Sequence, residues 1–391
     1  MRSVELFAGA GGLAIGMSNA GFHHAVVIEW DHDACETFRE NQRHRLKPIE
    51  KWPLYEGDVN AFEYGSLSDV MVVSGGPPCQ PFSLGGKHRG HRDERDMFPE
   101  AVRAVRELRP KAFIFENVKG LMRETFADYF EYVQLQLTHP SFARRGGESW
   151  REHCGRLERR HTSRQGRNEY NVVFRLLNAA DYGVPQRRER VFLVGFRSDL
   201  GVEWSFPEGK HGETALLRSQ WITGEYWERH GVSKKNRPKL CARQLARVER
   251  LRGNYLFDTG ELPWLTVRDA IGDLPDPEAK SRNGIPNHFF NPGARSYPGH
   301  TGSPLDEPSK TLKAGDHGVP GGENMLARVD GSLRYFTVRE AARLQTFPDD
   351  YIFLGAWTEA MRQLGNAVPV LLAQTVAQSV AGTLRSIEVR S

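Results

Sequence analysis

The sequence predicts a doubly wound α/β domain interrupted by a smaller, loop-rich second domain. Three observations carry this. Continuous Val/Ile/Phe runs alternate with helical patterns over the first 120 residues, a glycine-rich turn closes the first run, and sustained period is lost beyond about Arg197. Apolar runs without alternation are strands buried on both faces, the condition of a parallel sheet covered by helices. In order, "SVELF" is a strand ended by "AGAGG", and "LAIGMSNAG" has helical spacing with a glycine stop. "HHAVVIEW", "DVMVVSGG" and "KAFIFENV" extend the series, with the helix pattern "FPEAVRAVREL" between the last two. "YNVVFRLLNA" and "RVFLVGF" follow an Arg-rich segment. Trp, Pro, Gly and basic residues are then scattered through about Gly331, which predicts loops with short twisted strands. Regularity returns with "TVREAARLQTF", and "VPVLLAQTVAQSVAGTL" is a final helix expected to pack beside the first strand. The large domain is thus expected to be discontinuous, residues 1–199 and 352–391, with 200–351 inserted.

Composition narrows the class. Of 391 residues, 39% are hydrophobic and 26% charged, as in a globular enzyme. No run approaches the ~18 consecutive apolar residues of a membrane span. "MRSVELFAGAGG" enters a strand directly, without the order of a signal peptide, and a cytoplasmic protein is expected. Net charge is +4, but it is uneven: nine Lys or Arg face one acid, Glu249, between Arg229 and Arg252. Eight Arg face four Glu from His139 to Tyr170. Such blocks suit phosphate contact or a solvated surface. Cys35, Cys79, Cys154 and Cys241 show no CxxC spacing and no disulfide framework. Cys35, Cys154 and Cys241 are expected to be packing or surface residues.

Glycines after the first strand let a cofactor approach the backbone at the carboxyl edge of the sheet. Gly9, Gly11 and Gly12 do not have the GxGxxG spacing of a pyrophosphate binder. Glu29 ends the next strand and can accept from ribose hydroxyls. Trp30 offers a flat face for adenine, and Asp58 in "EGDV" an acceptor for its amino group. An adenosine without a diphosphate needs this layout, and S-adenosylmethionine is such a molecule. A structural turn with two surface acids is the competing reading.

In "SGGPPCQPFS", Gly75 and Gly76 release a strand while Pro77 and Pro78 stiffen the backbone that carries Cys79. A thiolate is a strong nucleophile once its pKa is lowered. Glu116 ends the neighbouring strand in "FIFENV", with Asn117 behind it, and Arg187, Arg188 and Arg190 precede another strand in "VPQRRERVF". Thiol, carboxyl and guanidinium groups form a set for covalent catalysis.

With these residues in hand, the chain resembles the DNA (cytosine-5)-methyltransferase family over nearly its whole length. The matching blocks, in the family's order, are "ELFAGAGG", "IEWD", "GDV", "GGPPCQPFS", "ENV", "QRRERVF", "REAARLQTFPDD" and "QLGNAVPV". The resemblance implies a Rossmann-like S-adenosylmethionine-dependent methyltransferase domain with a smaller DNA-recognition domain. It implies Cys79 as the nucleophile at carbon 6 of the target cytosine, and Glu116 as the group that binds ring N3 and the amino group. Arg188 and Arg190 would steady the base and a nearby phosphate. Phe7, Gly9, Gly11, Gly12, Leu13, Glu29, Trp30, Asp58, Val59, Pro78, Asn366 and Ala367 would surround the cofactor.

The chemistry suits these residues. Carbon 5 of cytosine is a weak nucleophile until a thiolate adds at carbon 6. The target must leave the stack, at a cost of a few kcal/mol, and "SLGGKHRGHRDERDMF" is expected to close over it as a mobile loop. The region 200–330, with the strongest basic block and "PSKTLKAGDHGVPGG" near its end, is expected to read duplex DNA. Segment 139–170 is expected to be an embellishment of the large domain. Three rivals remain: a tRNA or RNA cytosine-5-methyltransferase, a DNA-binding relative without catalysis, and a dinucleotide oxidoreductase. The long basic region opposes the first, the intact Cys79, Glu116, Arg188 and Arg190 the second, and the glycine spacing the third. A compact, monomeric enzyme of bacterial type is expected, without metal or membrane, paired in function with a restriction endonuclease.

Overall fold

The computed structural model describes residues 1–78, 96–163, 167–253, 260–279, 284–296, 298, 301–314 and 324–389. Cys79 and residues 83–95 of the segment expected to close over the base lie outside them, as does most of the end of "PSKTLKAGDHGVPGG". The chain forms two compact units, Met1–Leu177 with Glu189–Pro207 and Ala373–Ser391, and Asn178–Arg188 with Glu208–Leu372. These differ from the expected domains at three places: 178–188, 200–207 and 352–372 each fall in the other unit.

The first unit is built on seven strands: β1 (Arg2–Leu6), β2 (His23–Glu29), β3 (Leu54–Glu56), β4 (Val70–Gly75), β5 (Ala112–Val118), β6 (Tyr170–Asn178) and β7 (Glu189–Arg197). Their order in the sheet is β3-β2-β1-β4-β5-β7-β6. β1 pairs in parallel with β2 and β4, and β7 lies antiparallel to β5. Helices α1 (Gly12–Asn19), α2 (His32–Arg43), α3 (Phe98–Leu108), α4 (Ala127–Thr138) and α5 (Trp150–Thr162) connect or extend the strands. The order reverses between β1 and β4, and in an open α/β sheet ligands bind at the carboxyl ends flanking such a reversal. The fully buried core includes Val4, Leu6, Val73, Phe113, Phe115 and Leu193. The eight strand and helix patterns expected before residue 197 are all present. Strand β3, only three residues long, and helices α2, α4 and α5 were not expected.

The second unit holds α6 (Glu213–Arg218), α7 (Glu225–Arg229), α8 (Ala242–Gly253), α9 (Val267–Ile271), α10 (Val338–Leu344) and α11 (Trp357–Asn366). Its strands are two or three residues long: β8 (His211–Gly212) with β9 (Leu262–Pro263), and β10 (Ser303–Pro304), β11 (Met325–Ala327) and β12 (Leu333–Tyr335). Its interior combines buried apolar residues such as Trp227, Phe336, Leu344 and Leu364 with a polar network: Tyr226 donates to Asp306 at 2.9 Å, and Arg268 pairs with the same carboxylate at 2.7 Å. Helix α8 lies inside the basic block, where no helix was expected, and exposes Arg243 and Arg250.

The final helix α12 (Val370–Glu388) enters the first unit at Ala373. There it packs on α1, and a Cβ placed on Gly16 would stand 2.5 Å from that of Ala373. The stretch Trp357–Glu388 has the length and apolarity to cross a membrane, but 61% of its most apolar window is buried within the protein.

Glu5 sits fully buried on β1 and accepts a hydrogen bond from Ser74 on β4. Burial raises its pKa from 4.5 to about 8, against the lowering effect of that bond. Below pH 4.5 folded and unfolded chains are both protonated and the favourable contribution is complete. Between pH 4.5 and 8 only the folded chain keeps the proton, so stability falls as pH rises, by roughly 3–5 kcal/mol in total. Glu5→Gln keeps an acceptor for Ser74 without the titration, and should melt higher than the parent near pH 8. Equal pH dependence of melting in both proteins would assign the effect to another group.

Candidate active site

The turn after β1 is left-handed at three nearby residues: Phe7 at φ 54°, Gly9 at 53° and Gly11 at 82°. Phe7 tolerates a region that non-glycine residues seldom occupy, a form of strain that clusters at ligand sites. At Gly11 a Cβ would also meet the Phe38 ring at 2.7 Å, so glycine is required twice over. Gly12 opens α1, and Leu13 and Val59 are buried beneath the rim.

Glu29 braces this turn. One carboxylate oxygen accepts from Gly9 N–H at 2.6 Å, and the other from Trp30 N–H at 3.0 Å and Asp31 N–H at 2.8 Å. Three of roughly four acceptor positions are thereby in use, where an acceptor for ribose hydroxyls was expected. Burial raises its pKa, and the three N–H donors oppose the rise. Trp30 is 76% exposed, so its indole face is open. Gly57 N–H donates to Glu29 O at 2.9 Å, which sets Asp58 beside the end of β2. Asp58 is exposed and accepts from Asn60.

The end of β4 is held from two sides. Gly75 packs so closely on β1 that a Cβ would meet the Leu6 carbonyl oxygen at 2.5 Å. Asn117 donates to Pro77 O at 2.9 Å, and Met97 N–H donates to Pro78 O at 3.3 Å. The backbone is therefore fixed up to the residue before Cys79. Neither Asn117 nor Met97 was expected to do this. A cross-strand carboxamide followed by a strand end is too common a pattern to signal it.

Glu116 on β5 is 6% exposed, and one oxygen lies 3.3 Å from where a Cβ of Gly76 would stand. Its other oxygen pairs with Arg190 Nε at 2.8 Å. The register explains the meeting: Val118 pairs with Arg190 and Glu116 with Phe192, so the two side chains are diagonal neighbours on one face. Burial disfavours the Arg190 cation and lowers its pKa, while Glu116 supports it.

Arg188, expected to steady the base, has its guanidinium held by backbone carbonyls. It belongs to the second unit, is wholly buried, and donates to the carbonyls of Leu312 at 3.0 Å, Gly365 at 2.7 Å and Ala367 at 2.8 Å. It is a clamp on the turn that carries Asn366, which is exposed. Gln186 and Gln345 add to the clamp: Gln186 accepts from Leu312 N–H at 3.3 Å, and Gln345 donates to Leu364 O at 2.7 Å. Gly365 is packed directly on the Lys313–Ala314 backbone, leaving no room for a Cβ. Three of the sequence blocks are thus joined in one unit through side-chain bonds to backbone. Cys35 and Cys154 are buried and Cys241 is exposed.

A profile of C-5 cytosine-specific DNA methylases matches residues 1–139 and 162–382. The chain belongs to this family. Among relatives, it is 30% identical to the type II methyltransferase M.NgoMIV of Neisseria gonorrhoeae, over 98% of both chains. It is likewise 30% identical to the type II methyltransferase M.Eco47II of Escherichia coli, over 99% of this chain and 80% of the relative. Its fold is similar to the crystal structure of a protein described as a DNA modification methyltransferase from an E. coli prophage, with TM-score 0.58 and 20% identity over 98% and 99% of the two chains. The protein is a cytosine-5 DNA methylase, and the seven-stranded unit has the Rossmann-like form expected of one.

Proposed function

We propose that this methylase takes its methyl group from S-adenosylmethionine and modifies carbon 5 of a flipped-out cytosine within one short duplex sequence, through a covalent bond from Cys79 to carbon 6. The observation that carries this reading is the Glu116–Arg190 pair set against Gly76, at the end of the strand that leads into Cys79.

The rim residues fit the cofactor. The left-handed turn at Gly9 and Gly11, the open face of Trp30 and the exposed Asp58 suit an adenosine. Phe7, Pro78, Asn366 and Ala367 are proposed to complete its surroundings. Bound there, S-adenosylmethionine supplies an electrophilic methyl group on a sulfonium.

The chain's own residues prepare the acceptor. The Cys79 thiolate adds to carbon 6, and the electron pair released moves to make carbon 5 an enamine carbon. Glu116 holds N3 and the amino group, and a proton at N3 lowers the barrier to that addition. Arg190 keeps the Glu116 carboxyl in place. Carbon 5 would then take the methyl group as its bond to the donor sulfur breaks, and loss of the carbon 5 proton to a base would expel the thiolate and restore the ring. Arg188 is proposed to act at one remove, by shaping the turn around Asn366.

Residues 200–351 are proposed to read the DNA, with Arg243 and Arg250 of α8 placed to meet phosphates. The relatives named as type II methyltransferases support a functional pairing with a restriction endonuclease in a bacterial cytoplasm. Bisulfite sequencing of a methylation-free host expressing the protein tests the whole reading. Protected cytosines should fall within one short recurring motif. A soluble protein that protects no DNA cytosine would turn the reading toward RNA.

A further inference from the structure

The family profile stops at residue 139 and resumes at 162, so residues 140–161 are additional to the family's common chain. They contain six Arg, no Lys and three Glu. We propose that the start of this insertion is a clamp for the sugar-phosphate backbone of the duplex flanking the target cytosine. The proposal deepens the reading above and rests on it.

The insertion leaves and returns at one place, for His139 Nε2 and His161 Nδ1 are 3.2 Å apart at the far end of α4. Its helix α5 nevertheless begins at the other end, beside the active-site rim. Met97 is bonded to Pro78 at the end of β4, and its neighbour Asp96 accepts from Tyr129 in the first turn of α4. The Tyr129 ring stands 6.1 Å from Trp150, the first residue of α5. Helices α4 and α5 therefore run side by side from rim to base, about 18 Å for twelve residues. Arg144, Arg145 and Arg151 are thus at the rim end, whereas Arg159 and Arg160 are near the base.

The acids of the insertion are occupied internally. Glu148 pairs with Arg156 at 2.7 Å, Glu152 closes the capping box with Ser149, and Glu158 accepts from Cys154. Arg144, Arg145 and Arg151 are exposed; the backbone N–H of Arg145 donates to the Glu148 carboxylate at 2.8 Å, but among the described residues none of the three guanidinium groups pairs with a carboxylate. Arg144 is tethered to the Glu148 carbonyl, and Arg151 rests on the Trp150 ring at 5.2 Å. Trp150, His153 and Leu157 anchor the helix to α4 and the core, so the three guanidinium groups are carried on a braced support. Guanidinium without lysine suits bidentate phosphate contact, and a position beside the rim suits phosphates next to a flipped base.

The test uses the full chain and a 40-base-pair duplex, a length of about four helical turns, centred on the motif found by bisulfite sequencing. Binding is measured across a KCl series for the parent, for the Arg144→Ala/Arg145→Ala/Arg151→Ala variant, and for Arg145→Glu alone. Each phosphate contact contributes about 0.9 to the slope of log K against log salt, so the triple variant should lose roughly two to three from its magnitude. Its turnover at saturating DNA should match the parent's. Arg145→Glu, which touches no packing residue, should show a slope lower by about one and weaker binding on the same duplex. A parent that methylates the duplex while both variants keep its slope overturns the clamp alone. A parent that neither binds nor methylates duplex DNA overturns the underlying reading as well.

Discussion

Cys79→Ser is expected to lose methyl transfer by roughly 10⁴-fold or more, the scale seen when a covalent nucleophile is removed, while duplex binding changes little. The serine hydroxyl is a far weaker acid than a thiol and is not ionised near neutral pH. The surroundings that aim the residue are unchanged by the substitution, because they act on the backbone before it: Asn117 on Pro77 and Met97 on Pro78. A duplex with 5-fluorocytosine at the target position makes the measurement direct. Fluorine cannot leave carbon 5 as a cation, so the adduct with Cys79 should persist through denaturing electrophoresis. The serine variant should form none. Persistence of the adduct in Cys79→Ser would assign the nucleophile to another residue.

Glu116→Gln should reduce turnover by about 10² to 10⁴, the usual contribution of a positioned proton donor or acceptor, with KM for DNA largely kept. The amide can still accept from Arg190 but cannot carry a proton to N3. It also leaves a buried guanidinium without its counter-charge, a change that costs about 3–5 kcal/mol when nothing compensates it. Stability and chemistry must therefore be separated. The pair Glu116→Gln/Arg190→Gln removes both charges and should recover much of the lost melting temperature without recovering turnover. If the double variant regains activity along with stability, Glu116 is a folding residue and the proton role is wrong.

The sequence expected Arg188 and Arg190 to share a task, and their guanidinium groups take different kinds of partner. They stand two apart in the chain, yet Arg190 meets Glu116 across two paired strands, while Arg188 grips carbonyls at Leu312, Gly365 and Ala367. Glu29 shows the same limit. Its place at the end of β2 was legible, but its three N–H partners depend on how the turn at Gly9 folds back. Helix α5 was partly legible: Ser149 and Glu152 have the spacing of a capping box, but the surrounding arginines hide the apolar face that would complete the signal.

What the sequence determined by itself was local or ordinal. Strand and helix patterns follow from neighbours two to four residues apart. A residue just after a parallel strand must lie at the carboxyl edge of the sheet, so Gly9, Glu29, Pro78 and Glu116 could be assigned to one rim from chain order alone. Tertiary structure decided which partner each polar side chain takes. Arg188 and Gly365 are 177 residues apart, and no local pattern encodes a bond of that span. The rim-end position of Arg144, Arg145 and Arg151 has the same origin, since it depends on Tyr129 meeting Trp150. Order along the chain places the backbone, whereas burial and hydrogen bonding across the fold select the partners.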